Sequence, residues 1–271
     1  MKKGRIAAAA VLILLLATAW AAFSLAGSAR WPAAPSKSVK KNGKLRVDVS
    51  NAQEGYVQAA LQKSSKKRMK LRITKGKETL TYDLNGNADY EIFPLQLGSG
   101  KYVITLYENT KGKNYTTAGS VSVNVKFKDP EVCFYYPNQY VNYTKDSPAV
   151  AQADKLCADK KQSETYEIIC SYMSKNFVYD YVKALNIKAG VLPDIDGAWK
   201  KHMGICQDLS AIMCCMLRTQ GLPARLMIGM ADKNYHAWVV VNFDGKEHFF
   251  DPTAAINGIA KVKKYTVERY Y

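Results

Sequence analysis

The sequence predicts an α+β fold in two unlike halves, an all-β first half and a mixed second half. Between Leu45 and Phe127, apolar residues recur at every second position in short runs, the period of half-buried strands. Beyond residue 148 they recur at spacings of three and four, the period of helices that bury one face. Near the end, an alternating run flanks Asp244-Gly245, a two-residue hairpin signal. At 271 residues the chain holds about two domains, and 48% hydrophobic residues supply a core and exclude global disorder.

The elements follow in order. Lys2, Lys3 and Arg5 precede an uncharged run from Ile6 to Ala29, the basic and apolar regions of an export signal. Ser24-Leu25-Ala26 and Gly27-Ser28-Ala29 offer small residues for cleavage, yet residues 6–26 are also long enough to stay as a membrane anchor. Residues 1–29 are therefore expected to be a signal peptide or an N-terminal anchor, with the working part outside the cytoplasm, secreted or membrane-attached. Residues 27 to about 43 read as a small, polar, basic tether. Seven strands follow in a domain over 38–130, marked by Leu45/Val47/Val49, Val57/Ala59/Leu61, Met69/Leu71/Ile73, Leu80/Tyr82/Leu84, Tyr90/Ile92, Tyr102/Ile104/Leu106 and Val121/Val123/Val125/Phe127. Asn85-Gly86-Asn87 is a tight-turn signal. Seven short strands at this spacing suggest a β-sandwich of immunoglobulin-like type, a spacer or binding module without chemistry of its own.

Asp129 to about Ser147, rich in Tyr, Pro and Asn, reads as a connection packed on a second domain over 145–271. That domain opens with helices at about 148–160 and 163–176 and a short one ending at Leu185. A loop with Pro193 and Gly197 then leads past Trp199 to Gly204-Ile205-Cys206. From there Leu209, Ile212, Met213, Met216 and Leu217 mark one buried helical face, Gly221 sits where the helix should be capped, and Pro223 forbids continuation. Cys206 thus starts a helix, where the positive end of the helix dipole favours a thiolate. Residues Val262 to Tyr271 are basic and tyrosine-rich and carry no readable pattern.

A nucleophile needs a base, and the chain has three histidines. His202 lies in the loop just before the helix and reads as a surface residue. His236 opens the apolar run to Phe243, and Glu247 to Asp251 returns as the partner strand. If Asp244 and Gly245 form the turn, Phe243 faces Lys246 and Trp238 faces Asp251; if Gly245 and Lys246 form it, Val240 faces Asp251 and the face is unchanged. His236 is then on the face of Asp251, about 7–8 Å away at Cα in the nearer register, while His248 falls on the other face. Cys206 as nucleophile, His236 as base and Asp251 as its orienter make one set. The Cys206 backbone N–H would meet an oxyanion.

Gly204-x-Cys206, Leu217-Arg218-x-x-Gly221-Leu222-Pro223-Ala224-Arg225, His236-Ala237-Trp238 and Phe250-Asp251-Pro252-Thr253 resemble the transglutaminase-like core over roughly residues 148–253. Tyr179-Asp180 is similar to a motif upstream of the nucleophile in that family. The resemblance implies a papain-like α+β fold, with the helix-borne cysteine packed on an antiparallel sheet. It also implies acyl chemistry through a thioester at Cys206, with His236 and Asp251 completing the triad and Tyr179 and Trp238 lining the site. No acidic calcium-binding loop is present, and no cofactor is implied.

The formal net charge is +16, spread in short groups such as Lys40-Lys41 and Lys66-Lys67-Arg68. Nucleic acid is not an expected partner, because no basic stripe is interleaved with aromatics. The excess is either a solvated surface or an attraction to an anionic cell envelope. Of the six cysteines, Cys214 and Cys215 have diverging Cβ vectors on one helix and read as core filler. No C-x-x-C pair exists, which argues against a structural zinc. The expected function is an exported thiol enzyme acting on amide bonds of proteins or peptides, as protease, amidase or acyltransferase. The alternatives are a cell-wall peptide hydrolase or cross-linker, and a non-catalytic surface adhesin or scaffold.

Overall fold

The structure, a computed structural model, describes residues 29–36, 38–258 and 262–271. The expected export segment therefore lies, up to residue 28, outside the described residues. Among those described, no helix is long and apolar enough to cross a membrane.

The first half forms eight strands: β1 (Val39–Asn42), β2 (Leu45–Asp48), β3 (Tyr56–Leu61), β4 (Met69–Lys75), β5 (Glu78–Leu84), β6 (Glu91–Pro94), β7 (Gly100–Lys111) and β8 (Asn114–Val125). They make two four-stranded antiparallel sheets of order β1-β2-β3-β6 and β5-β4-β7-β8. The strand absent from the sequence reading is β1, assigned there to the tether. Its Lys40, Lys41 and Asn42 are all exposed, so it has no apolar alternation to show. Charged edge strands of this kind also resist pairing with other chains. The predicted alternations Val47/Val57/Ala59 and Leu71/Ile73/Ile104 point inward and belong to one core. Asn85-Gly86-Asn87 does turn the chain, but from one sheet to the other rather than within a hairpin, and the Asn85 side chain accepts the Asn87 N–H at 3.1 Å.

The second half contains α1 (Pro148–Cys157), α2 (Gln162–Asn176), β9 (Val178–Tyr179), α3 (Tyr181–Asn186), α4 (Ile195–Lys201), β10 (Met203–Gly204), α5 (Cys206–Thr219), β11 (Ala224–Ala231), β12 (Asn234–Phe243), β13 (Lys246–Phe250), α6 (Pro252–Asn257) and β14 (Tyr265–Tyr270). Its antiparallel sheet has the order β13-β12-β11-β14. The stretch expected as a loop with Pro193 and Gly197 is partly the helix α4. Asp194 caps it by accepting the Gly197 N–H at 2.9 Å, and a Cβ on residue 197 would come within 2.0 Å of that carboxylate. Glycine here permits a cap rather than breaking a helix.

Helix α5 is the centre of this half. The predicted stripe is buried, but so is every residue from Asp208 to Thr219, which a one-faced periodicity did not foresee. Helices α1, α2 and α4 and strands β11 and β12 surround it. Fully burying Leu209, Ile212 and Leu217 contributes about 1.5–3 kcal/mol each. Polar residues enter this core because they find partners inside it. Arg218, fully buried, donates to the carbonyls of Ala224, Tyr136 and Tyr271 at 2.7–2.9 Å. The helix ends as expected: Gly221 takes φ 73°, its N–H reaches the Arg218 carbonyl at 3.0 Å, and the Leu222 N–H reaches Leu217 at 3.0 Å. This paired closure satisfies the last carbonyls of the helix.

Candidate active site

Cys206 is the first residue of α5, and its backbone is fixed from three directions. Asp208, fully buried two residues on, folds back to accept the Ile205 N–H at 3.0 Å. The same carboxylate binds the Lys183 ammonium of α3 at 2.7 Å and the Asp194 N–H at 3.1 Å. A Cβ on Gly204 would lie 2.8 Å from the Asp208 side chain, so only glycine admits this fold-back. Beside it, β9 pairs in parallel with β10, placing Tyr179 opposite Gly204. Burial first, then the neighbouring Cys206 and Tyr181 side chains, push the Tyr179 hydroxyl up to about 12, against the lowering effect of the Cys206 N–H that it accepts. Tyr179 thus remains a protonated donor at neutral pH.

The hairpin takes the register read from its turn: Phe243 faces Lys246 and Val239 faces Phe250. Asp251 follows β13 directly and caps α6, its Oδ1 accepting the Ala254 N–H at 3.0 Å. Its Oδ2 accepts the His236 Nε2–H at 2.8 Å and the Tyr265 hydroxyl at 2.8 Å. With Nε2 committed, Nδ1 is the ring nitrogen left for the thiol. Burial acts to lower the His236 pKa, but the Asp251 carboxylate and the Cys206 side chain outweigh it and hold the imidazole up at about 9. Burial acts to raise Asp251, and the bonds from His236, the Ala254 N–H and Tyr265 bring it below the usual carboxylate value. The structure therefore brings Cys206, His236 and Asp251 into one line of contacts, with Tyr179 at the thiol end. His202 is exposed, its Nδ1 3.1 Å from the Asn176 carbonyl, and His248 stacks on Phe243 at 3.7 Å.

A cleft of about 440 Å³ opens on this site, lined by Cys206, Gln207, His236, Tyr235, Arg269 and the segment 187–191. Trp238, expected to line it, does not. The side chain is 2% exposed and packs with Met227 and Val240 on the face of the sheet that carries His236, behind that residue. Its ring stacks 6.4 Å from that of His236 and 4.9 Å from that of Tyr265, so it can only shape the site from behind. Sequence reasoning missed Tyr265, Asp208 and Lys183. Tyr265 sits in the tail without a readable pattern, and its value appears only once β14 is paired beside β11. Asp208 was visible as an acid three positions after the N-cap, a capping position.

A helix-borne thiol, a strand histidine and a carboxylate that orients it define the cysteine-dependent class of acyl-transfer sites. Residues 150–251, which include all three, match the family model of the transglutaminase-like superfamily, and that stretch is a transglutaminase-like domain. No curated protein matches the chain. Among solved structures, the chain is similar to a candidate cysteine protease from Cytophaga hutchinsonii, at 14% identity and a TM-score of 0.40, covering 83% of this chain and 82% of that one. It is also similar to a TGase at 18% identity and a TM-score of 0.35, covering 57% of this chain and 46% of that one. For red sea bream transglutaminase the figures are 15% identity, a TM-score of 0.30, 73% of this chain and 48% of that one. The chain thus spans less than half the length of the last two.

Proposed function

We propose that this chain is an exported thiol enzyme that acts on amide bonds of proteins or peptides through a thioester on Cys206. The observation that carries the reading is the His236 Nε2–Asp251 Oδ2 bond of 2.8 Å, which leaves the other ring nitrogen to serve Cys206. In the proposed cycle His236 takes the thiol proton and the sulfur attacks the carbonyl carbon. The developing oxyanion is met by the Tyr179 hydroxyl, whose oxygen in turn accepts the Cys206 N–H. The imidazolium then protonates the leaving amine, and the C–N bond breaks. Water or a second amine, deprotonated by His236, attacks the thioester and releases the sulfur. Water makes the enzyme a protease or amidase; an amine makes it an acyltransferase.

The test uses casein with and without a fluorescent primary amine. Wild-type protein should release peptides or incorporate the amine, and Cys206→Ala should do neither. Full turnover by that variant would overturn the reading, and an inert wild type would favour a surface scaffold. Export rests on Lys2, Lys3, Arg5 and the apolar run that follows. Replacing residues 6–26 by a polar linker should hold the protein in the cytoplasm, and unchanged export would refute that part. The basic charge and the export segment together favour envelope peptides as substrates. Ahead of the catalytic unit, sheet orders β1-β2-β3-β6 and β5-β4-β7-β8 support an immunoglobulin-like sandwich that serves as spacer or binding module.

A further inference from the structure

The cleft beside Cys206 has a one-sided charge. Lys188 and Arg269 both line it, and no aspartate or glutamate does. Among the described residues neither cation has a carboxylate within ion-pair distance. Arg269 donates instead to the Tyr235 hydroxyl, an aromatic 54% exposed on the same wall. Both cations are exposed, so their charge is open to a ligand that enters the cleft. Two cations left without counter-ions in the cavity that holds the nucleophile form an electrostatic receptor for an anion.

The walls say what kind of anion. The segment 187–191 is one side of the cleft, and α3, which leads into it, exposes Tyr181, Val182 and Leu185, the last at 87%. Large apolar side chains this exposed are grouped here rather than scattered. A small inorganic anion has no use for such a surface, whereas a peptide does.

We propose that the cleft selects peptides carrying a carboxylate close to the bond under attack, held by Lys188 and Arg269, with apolar neighbours against α3 and Val191. This deepens, and rests on, the thiol-enzyme reading above. The carboxylate is either an acidic side chain or a free C-terminus, and the two sources are separable.

The experiment compares fluorogenic peptides of one parent sequence, in pairs that carry Glu or isosteric Gln at one position. A further pair has a free or an amidated C-terminus. At least one charged member should show kcat/KM about tenfold above its neutral mate, the scale of one charge-assisted hydrogen bond. A preference among the Glu/Gln pairs assigns a side chain, and one in the terminal pair assigns a C-terminus. Lys188→Gln/Arg269→Gln should bring the ratio to near one, Lys188→Arg/Arg269→Lys should retain it, and Lys77→Gln in the remote β4–β5 turn should leave it unchanged. Equal kcat/KM in every pair, or a preference that survives in the double Gln variant, overturns the proposal while leaving the enzyme reading intact. If no peptide is turned over, the same pairs are titrated against Cys206→Ala protein by fluorescence anisotropy. A tenfold tighter Kd for a charged member then supports the receptor, and equal or absent binding overturns it. Failure of the enzyme reading shows separately, as casein turnover that does not depend on Cys206.

Discussion

At the residue scale, Asp251 holds the arrangement together, because one carboxylate receives His236, Tyr265 and the cap of α6. Asp251→Asn removes the charge that holds the imidazolium, so the alkaline limb of the kcat/KM profile should move below its wild-type position near 9. The rate should fall roughly a hundredfold or more; an unmoved limb would show that Asp251 does not tune His236. Tyr265→Phe keeps the ring and deletes one donor. It should lower kcat a few-fold with KM little changed, and a loss confined to KM would argue for a substrate contact instead. The same pKa has a stability side. His236 ordinarily titrates near 6.5 and is raised to about 9 in the fold, so the folded state binds its proton more tightly. That stabilisation is complete below pH about 6.5 and is lost as the pH rises through about 9. Wild-type melting temperature should therefore drop over this window by more than that of His236→Gln, and parallel curves would refute it.

Among the elements, β14 had the least visible role in the sequence. The hairpin was legible in its face, because a turn at Asp244-Gly245 or at Gly245-Lys246 leaves His236 and Asp251 on one side, and the structure takes the first register. Helix α5 was legible in its start, its stripe and its glycine end, but not in its complete burial, since nothing in the sequence names the internal partners that let Arg218 and Asp208 enter the core. Strand β14 was not legible, because between its two terminal tyrosines every residue is exposed, with no apolar alternation, and it pairs at an edge. Gly229 shows how closely it packs: an added Cβ would lie 2.0 Å from the Thr266 carbonyl. Gly229→Ala should push β14 away, cost about 1–3 kcal/mol, and weaken the Tyr265 contact, so melting temperature and kcat should fall together. Arg218→Met removes the side-chain donor from three buried carbonyls, of which that of Tyr271 keeps the Leu226 N–H, and should cost about 3 kcal/mol. A variant as stable as wild type would mean that those carbonyls find other donors.

On the scale of the whole molecule, the two halves share one continuous apolar core that runs from Leu45 to Tyr271. The last residues bind both sides: the Tyr271 ring stacks on Tyr140 at 3.5 Å and meets Tyr82 of β5 at 5.9 Å, while Gln96 donates to the Tyr270 carbonyl. A core of this extent predicts that the boundary drawn near residue 145 separates patterns rather than independent folding units. Calorimetry should show one transition for residues 29–271, and residues 145–271 alone should melt well below it; two resolved transitions would contradict this. The depth of that core also sorts the thiols. All six are unpaired, yet burial pushes Cys157 up to about 11 and Cys170 and Cys214 up to about 12, and raises Cys133 and Cys215 as well. Only Cys206 lines the open cleft. At neutral pH an alkylating reagent should therefore be consumed at one equivalent per competent molecule, so each preparation can be assayed for its fraction of working protein by counting label alone, before any substrate is in hand.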